Sequence, residues 1–147
     1  MKKSVKLILA VLVLAIIVAF IGFKFVNKPV NDYAEKEVNA NFNFAQIMDK
    51  VSNDTASLSE LKDKLVGIDG NIKSIKNEAN AIAIELGDTN TMSSIICQID
   101  TRYTKEFNQL KTGEHIALKG IITGYTIDTD LGFGNTVEMN YCTKNTK

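Results

Sequence analysis

The chain has 147 residues, with 17 Lys+Arg against 17 Asp+Glu, one Pro, nine Gly and two Cys. That length holds one domain plus an appendage, and the composition excludes collagen-like, proline-rich, wholly disordered and disulfide-dense classes. The zero net charge is asymmetric: residues 1–26 carry four Lys (Lys2, Lys3, Lys6, Lys24) and no acid, and the remainder carries 13 basic and 17 acidic residues.

Residues 7–23 form an unbroken apolar run, which Phe25 and Val26 extend past Lys24. As a helix, residues 5–26 rise roughly 30 Å, the thickness of a bilayer's hydrocarbon core, with a Lys near each end to snorkel. A cleaved signal peptide is the alternative. The run exceeds the usual h-region of roughly 7–15 residues, and no A-x-A-like site follows. A lipoprotein needs a Cys just after the run, and the first Cys is Cys97. Residues 1–26 therefore read as a transmembrane signal-anchor. Lys2, Lys3 and Lys6 hold the N-terminus in the cytoplasm and place the acidic remainder outside it, at a bacterial inner membrane. Lys24 and Lys28 on the far side weigh against this orientation without reversing it.

Residues 27–42 are polar, with Pro29 early, and read as a tether of low structure. Asn43 is positioned to cap a helix. Over 43–64, Ala45, Ile47, Met48, Val51, Ala56, Leu58 and Leu61 recur at three- and four-residue steps, which predicts an amphipathic helix packing on the domain that follows. Asn53-Asp54-Thr55 is a candidate break within it.

From Leu65 the period changes to two. Strands are predicted over 65–76 and 79–86, joined by a turn at Lys76-Asn77-Glu78, and over 94–99. A short helix over 101–111 places Tyr103, Phe107 and Leu110 on one side. Strands over 114–127 and 136–142 follow, the last with Val137, Met139 and Tyr141 facing inward. Gly70, Gly120 and Gly124 lie inside long strands, where a small barrel needs bends or bulges. The fold class is mainly β: residues 65–147 form a five-stranded OB-fold barrel with a helix between strands three and four, the plan of that fold.

V-x-I-D-G-x-I-x-x-I at 66–75, I-x-C at 95–97, L-K-T-G-E-x-I-A-L-K-G-I-I-T-G-Y at 110–125 and V-E-M-N-Y-C at 137–142 resemble the tRNA-anticodon-like OB-fold family of small bacterial envelope proteins. The resemblance covers roughly residues 44–142. It implies an OB barrel and brings no established activity. Family members often carry a further Cys in the fourth strand, where Ile122 stands here, and lipidation does not carry over because its Cys is missing.

Cys97 and Cys142 lie on the third and fifth strands, which close the barrel against each other. A disulfide between them and two separate thiols both stay open. The parity of Cys142 is opposite to that of Val137, Met139 and Tyr141, so it faces outward unless a bulge intervenes. His115, the single His, sits at the start of the fourth strand and reads as a surface residue. Asp128 and Asp130 in the loop before the fifth strand, with His115, are weak candidates for a metal such as Ca²⁺. EF-hand spacing is absent, and a polar loop is the plainer reading. Tyr125 and Phe133 flank that loop, where OB barrels often take ligands; capping of the barrel's open end is the preferred reading.

No P-loop, G-x-S-x-G or G-x-G-x-x-G occurs, so no enzyme and no cofactor is expected. Nucleic acid is not an expected partner: residues 27–147 carry net negative charge, and 65–99 contain no Phe, Tyr or Trp. The expected function is a non-enzymatic module that binds an envelope protein or glycan through the loops at 87–93 and 128–135. A small-ligand or metal-sensing domain is the second reading.

Overall fold

The computed structural model describes residues 3–26, 31–78, 81–128 and 132–146. The chain divides into two compact units, Met1–Asn31 and Asp32–Lys147. The first contains α1 (Lys3–Val26, 24 residues), whose side chains are described from Val11 onward. Among the described residues no helix is long and apolar enough to cross a membrane.

The second unit holds β1 (Ala40–Asn43), α2 (Phe44–Asn53), α3 (Thr55–Leu61), β2 (Leu65–Glu78), β3 (Ala81–Leu86), β4 (Ser94–Ile99), β5 (His115–Thr126) and β6 (Thr136–Lys144). Five strands close a barrel in the order β2-β3-β4-β6-β5, with β2 returning to β5. One strand serves both edges of the closure. The first half of β2 pairs antiparallel with β5, Leu65 opposite Ile121 and Asn71 opposite His115. Its second half pairs with β3, and the ladder shifts between Ile72 and Ser74. Lys73 is the extra residue of that bulge, which turns the strand from one partner to the other. β2 runs on through Lys76-Asn77-Glu78, each opposite a residue of β3. The expected hairpin turn at Lys76-Asn77-Glu78 is corrected: these residues belong to the strand.

Two features depart from the plan read in the sequence. A sixth strand, β1, pairs in parallel with β2 at Val66 to Asp69, where the tether was expected. Residues from Asp32 on are also held to the barrel. The Tyr103 hydroxyl donates to Asp32 Oδ2 at 2.7 Å. The Tyr33 and Tyr141 rings lie 5.9 Å apart. The buried Lys119 ammonium donates to the Lys36 carbonyl at 3.0 Å, and Asn39 N donates to the Leu65 carbonyl at 2.8 Å. This segment is a strap with its own partners.

The second departure is the helix expected over 101–111, which is reduced to a 3₁₀ turn at Thr104–Phe107. The Asp100 carboxylate accepts from Arg102 N and from its guanidinium, a local bond that competes with helix formation. Phe107 alone of the three apolar side chains is fully buried. The helical cover of the barrel comes from α2 and α3. Asn43 caps α2 in a reciprocal capping box with Gln46, each backbone N–H donating to the other's side chain at 2.9 Å. Asp54 ends α2 and caps α3, accepting from Ser57 N at 3.1 Å. Ile47, Val51 and Leu58 from these helices are fully buried with Ile68, Ile84, Leu118, Ile122 and Met139 of the barrel.

The barrel closes through a bulge in β6. Cys97 lies opposite Met139 but Ile99 opposite Cys142, so three steps on β6 match two on β4. Tyr141 takes up the extra step with a positive φ of 56°. The expected inward orientation of Tyr141 is therefore corrected. Tyr141 is 41% exposed, and Cys142 turns into the core with no exposure.

Candidate binding surface

The loops before β4 and before β6 are one structure. Asn135 N donates to Ser93 Oγ at 3.0 Å, and Ser94 N returns to the Asn135 carbonyl at 2.9 Å. Asn135 Nδ2 reaches Ser52 Oγ of α2 at 3.1 Å. Gly134, at φ 77°, lies so close to the Met92–Ser93 backbone that a Cβ there would meet two of its atoms at 2.4 Å. Only glycine admits both that φ and that approach. The joined tip carries Met92, Ile127 and Phe133, which are 69%, 40% and 72% exposed. Outside α1, the other large apolar side chain exposed among the described residues is Tyr141.

Asp128 organises this tip. Its Oδ2 accepts from Phe133 N and Gly134 N, and its own N–H donates to Asn135 Oδ1. The carboxylate is used as a loop staple. Asp130, the second metal candidate of the loop, lies outside the described residues. His115 stands at the opposite end of β5, so it and Asp128 do not share a site. Among the described residues no group of three His, Cys, Asp or Glu is placed to hold a metal ion. His115 faces β2: its Nδ1 is 3.1 Å from Asn71 Oδ1 and its Nε2 3.6 Å from Asp69 Oδ2. These residues, with Phe44 and Asp88, line an open hollow of about 320 Å³.

Tyr125 and Phe133 separate in role. Tyr125 packs against the core, and its hydroxyl lies 3.1 Å from Ser59 Oγ of α3, so it does cap. Phe133 projects into solvent, and the capping role expected of it is corrected: the Asp128 staple holds its backbone over the loop with the ring turned out.

The outer face of β2, β3 and β4 offers a shallow groove of about 270 Å³ lined by Lys76, Glu78, Ala81, Ala83, Ile96 and Gln98. Its lining holds one cation and one acid, and elsewhere on β2 and β3 Lys73 stands 3.6 Å from Glu85. Burial alone would raise the Glu85 carboxyl, but the Ser74 hydroxyl and Lys73 hold it below its ordinary value. On the strap, the Tyr103 hydrogen bond lowers the Asp32 carboxyl and raises the Tyr103 phenol.

Cys97 and Cys142 are both buried, each as a free thiol. The bulge at Tyr141 brings the two thiols into hydrogen-bonding contact, and burial together with that contact raises the Cys142 thiol well above its ordinary value. Such a thiol is inert as a nucleophile.

Reasoning from the sequence located both loops but missed Met92 and Ile127. An exposed Met flanked by Thr and Ser, and an Ile past the last in-facing strand position, were the available signals.

The family model described as tRNA_anti-like matches residues 1–131. Among solved structures, a lipoprotein from Klebsiella pneumoniae subsp. pneumoniae, to which nucleic-acid binding is ascribed, superposes with a TM-score of 0.56 at 14% identity, covering 81% of this chain and 100% of that one. That likeness shows the fold alone. OBody AM3L09 bound to hen egg-white lysozyme gives 0.41 at 14% identity, covering 56% of this chain and 82% of that one. The aspartyl-tRNA synthetase from Entamoeba histolytica gives 0.43 at 11% identity, covering 58% of this chain and 18% of that one. No curated protein matches the sequence.

Proposed function

The chain belongs to the tRNA_anti-like family, and on that premise we propose that it is a non-enzymatic binding module. In this reading α1 anchors the OB barrel at a bacterial inner membrane, with the N-terminus in the cytoplasm, and the joined loop tip contacts an envelope protein or glycan. The observation that carries the reading is the gathering of Met92, Ile127 and Phe133 on one tip while, outside α1, Tyr141 is the other large apolar side chain exposed among the described residues. Exposed apolar residues collected in one place on a polar surface mark contact sites.

One observation supports the anchor. The described apolar side chains of α1, from Val11 to Val26, are exposed on every side, the pattern of a helix made for an apolar surround. Alkaline extraction of membranes from the source cell tests it, with protease added to spheroplasts. The chain should stay in the pellet and lose its barrel to the protease. Release at alkaline pH, or full protection, overturns the reading.

Nucleic-acid binding is the second reading, favoured by the fold likeness to the Klebsiella pneumoniae lipoprotein. The groove on β2, β3 and β4 argues against it. Its lining sets the acid Glu78 beside the single cation Lys76 and includes no aromatic platform. Titration of the full chain with labelled single-stranded DNA and RNA at low salt separates the two, since phosphate-driven binding must appear there and fall steeply with added salt.

A further inference from the structure

Cys97 and Cys142 are the chain's two cysteines, and neither takes part in the binding reading. They lie on β4 and β6, the parallel pair of the closed barrel. The register sets Cys142 opposite Ile99, two positions beyond Cys97. The bulge at Tyr141 turns Cys142 inward. Gly120 leaves the sulfur its place, since a Cβ there would lie 2.6 Å from Cys142 Sγ. Both side chains are fully buried in one core cluster, and their sulfurs are in hydrogen-bonding contact. The fold therefore brings together, sulfur to sulfur, two cysteines that stand far apart in the chain.

We infer that Cys97 and Cys142 are a disulfide-forming pair, whose bond pins the C-terminal strand β6 to β4. The bond closes the loop 97–142, so it removes freedom from the open chain and favours the closed barrel. Its oxidant is itself a disulfide, of a small thiol or of a protein dithiol. The thiolate of one cysteine attacks a sulfur of that disulfide, whose S–S bond breaks and releases one thiol. The second cysteine then attacks the cysteine sulfur of the mixed disulfide and releases the other thiol. Two cysteines are oxidised, one disulfide is reduced to two thiols, and the protons of the pair end on those thiols. The closed barrel shields both sulfurs from the oxidant, and burial disfavours the thiolate. Exchange therefore proceeds while β6 is open, during folding or transient opening, and a barrel folded without oxidant keeps two inert thiols. Outside the cytoplasm, where the barrel is proposed to lie, such a bond persists; the inference itself rests on the fold alone.

The full chain in detergent micelles tests this. It is reduced, then held in excess oxidised glutathione with and without urea near the unfolding midpoint. Samples are quenched in acid, alkylated and read by mass spectrometry. The expected product is a monomer that has lost two hydrogens, takes no alkyl group and no glutathione, and yields a peptide linking 97 to 142. It should form at least about tenfold faster in urea than in the closed barrel. Returned to native buffer, the oxidised chain should unfold at higher urea than the reduced chain, a comparison that needs no substitution. Cys97→Ala should instead take one glutathione at Cys142. A lasting glutathione adduct on the wild type, two free thiols after oxidation, or a disulfide between two chains overturns the inference. So does an oxidised chain with a lowered midpoint, since the bond would then suit the open chain and not this barrel.

Discussion

Gly120 illustrates how much of this barrel turns on single atoms. A Cβ there would lie 2.6 Å from Cys142 Sγ and 3.0 Å from the Asn140 carbonyl. The glycine is the space into which the β6 bulge folds Cys142. Gly120→Ala should cost about 1–3 kcal/mol through overpacking, read as a lowered midpoint in urea. Adding Cys142→Ala, which removes the sulfur but not the carbonyl, should recover part of the loss. Equal destabilisation in the single and double variants would place the clash elsewhere.

Asp100 makes a different kind of residue-level contribution. Its carboxylate is buried, and the Arg102 guanidinium holds its pKa below the ordinary 3.8. A carboxyl whose folded pKa is depressed stabilises the fold above its unfolded pKa and loses that contribution as pH falls through the folded value. Asp100→Asn should therefore cost about 0.5–1 kcal/mol at pH 7, given the partial exposure of Arg102. Wild type and variant should converge in stability as pH falls below the ordinary 3.8 and through the depressed folded value. A difference independent of pH would mean the loss lies in packing.

At the scale of elements, the barrel is covered by pieces from before it in the chain. α2 and α3 bury Ile47, Val51 and Leu58, and the turn after β4 adds Phe107. Leu58→Ala should lose about 2–5 kcal/mol, as large an effect as truncating a barrel strand residue, because the helices belong to the same core. A small loss with unchanged cooperativity would make α3 an appendage. The two loops of the tip form a second composite element. Gly134→Ala adds both a strained φ and a backbone clash against Met92–Ser93. It should speed hydrogen exchange at the Ser94 and Asn135 amides, which join the loops, and leave the β2–β5 ladder protected. Uniform loss of protection across the barrel would show that the tip and the core open together.

For the whole molecule, two predictions follow from burial and charge. Cys97 and Cys142 should resist a membrane-impermeant thiol reagent until the barrel unfolds, when both react. Labelling of the native chain at either thiol would contradict their burial. Single-stranded nucleic acid should show no salt-dependent binding, since the lining of the groove that would hold it has one cation, Lys76, beside one acid, Glu78, and no aromatic platform.

The sequence by itself determined whatever depends on neighbours in the chain. The change of period at Leu65, the Asn43 cap, the break at Asp54 and the positions of the two loops are all local signals, because capping and periodicity act within a few residues. Barrel class followed from strand count and from glycine within strands. Tertiary structure alone decided what depends on partners distant in sequence. The inward turn of Cys142 needs the β4 register and the space over Gly120, so parity along β6 predicted the wrong face for Tyr141. The helix over 101–111 gave way because Asp100 offered its backbone a closer bond, with Phe107 buried and Tyr103 and Leu110 packed partly buried against the core. The strap was legible only as polar composition, since its partners Tyr103, Lys119 and Tyr141 lie far along the chain. Phe133 could be judged cap or anchor only once the Asp128 staple fixed which way its ring points, a choice made by a loop folding on itself and not by any periodic pattern.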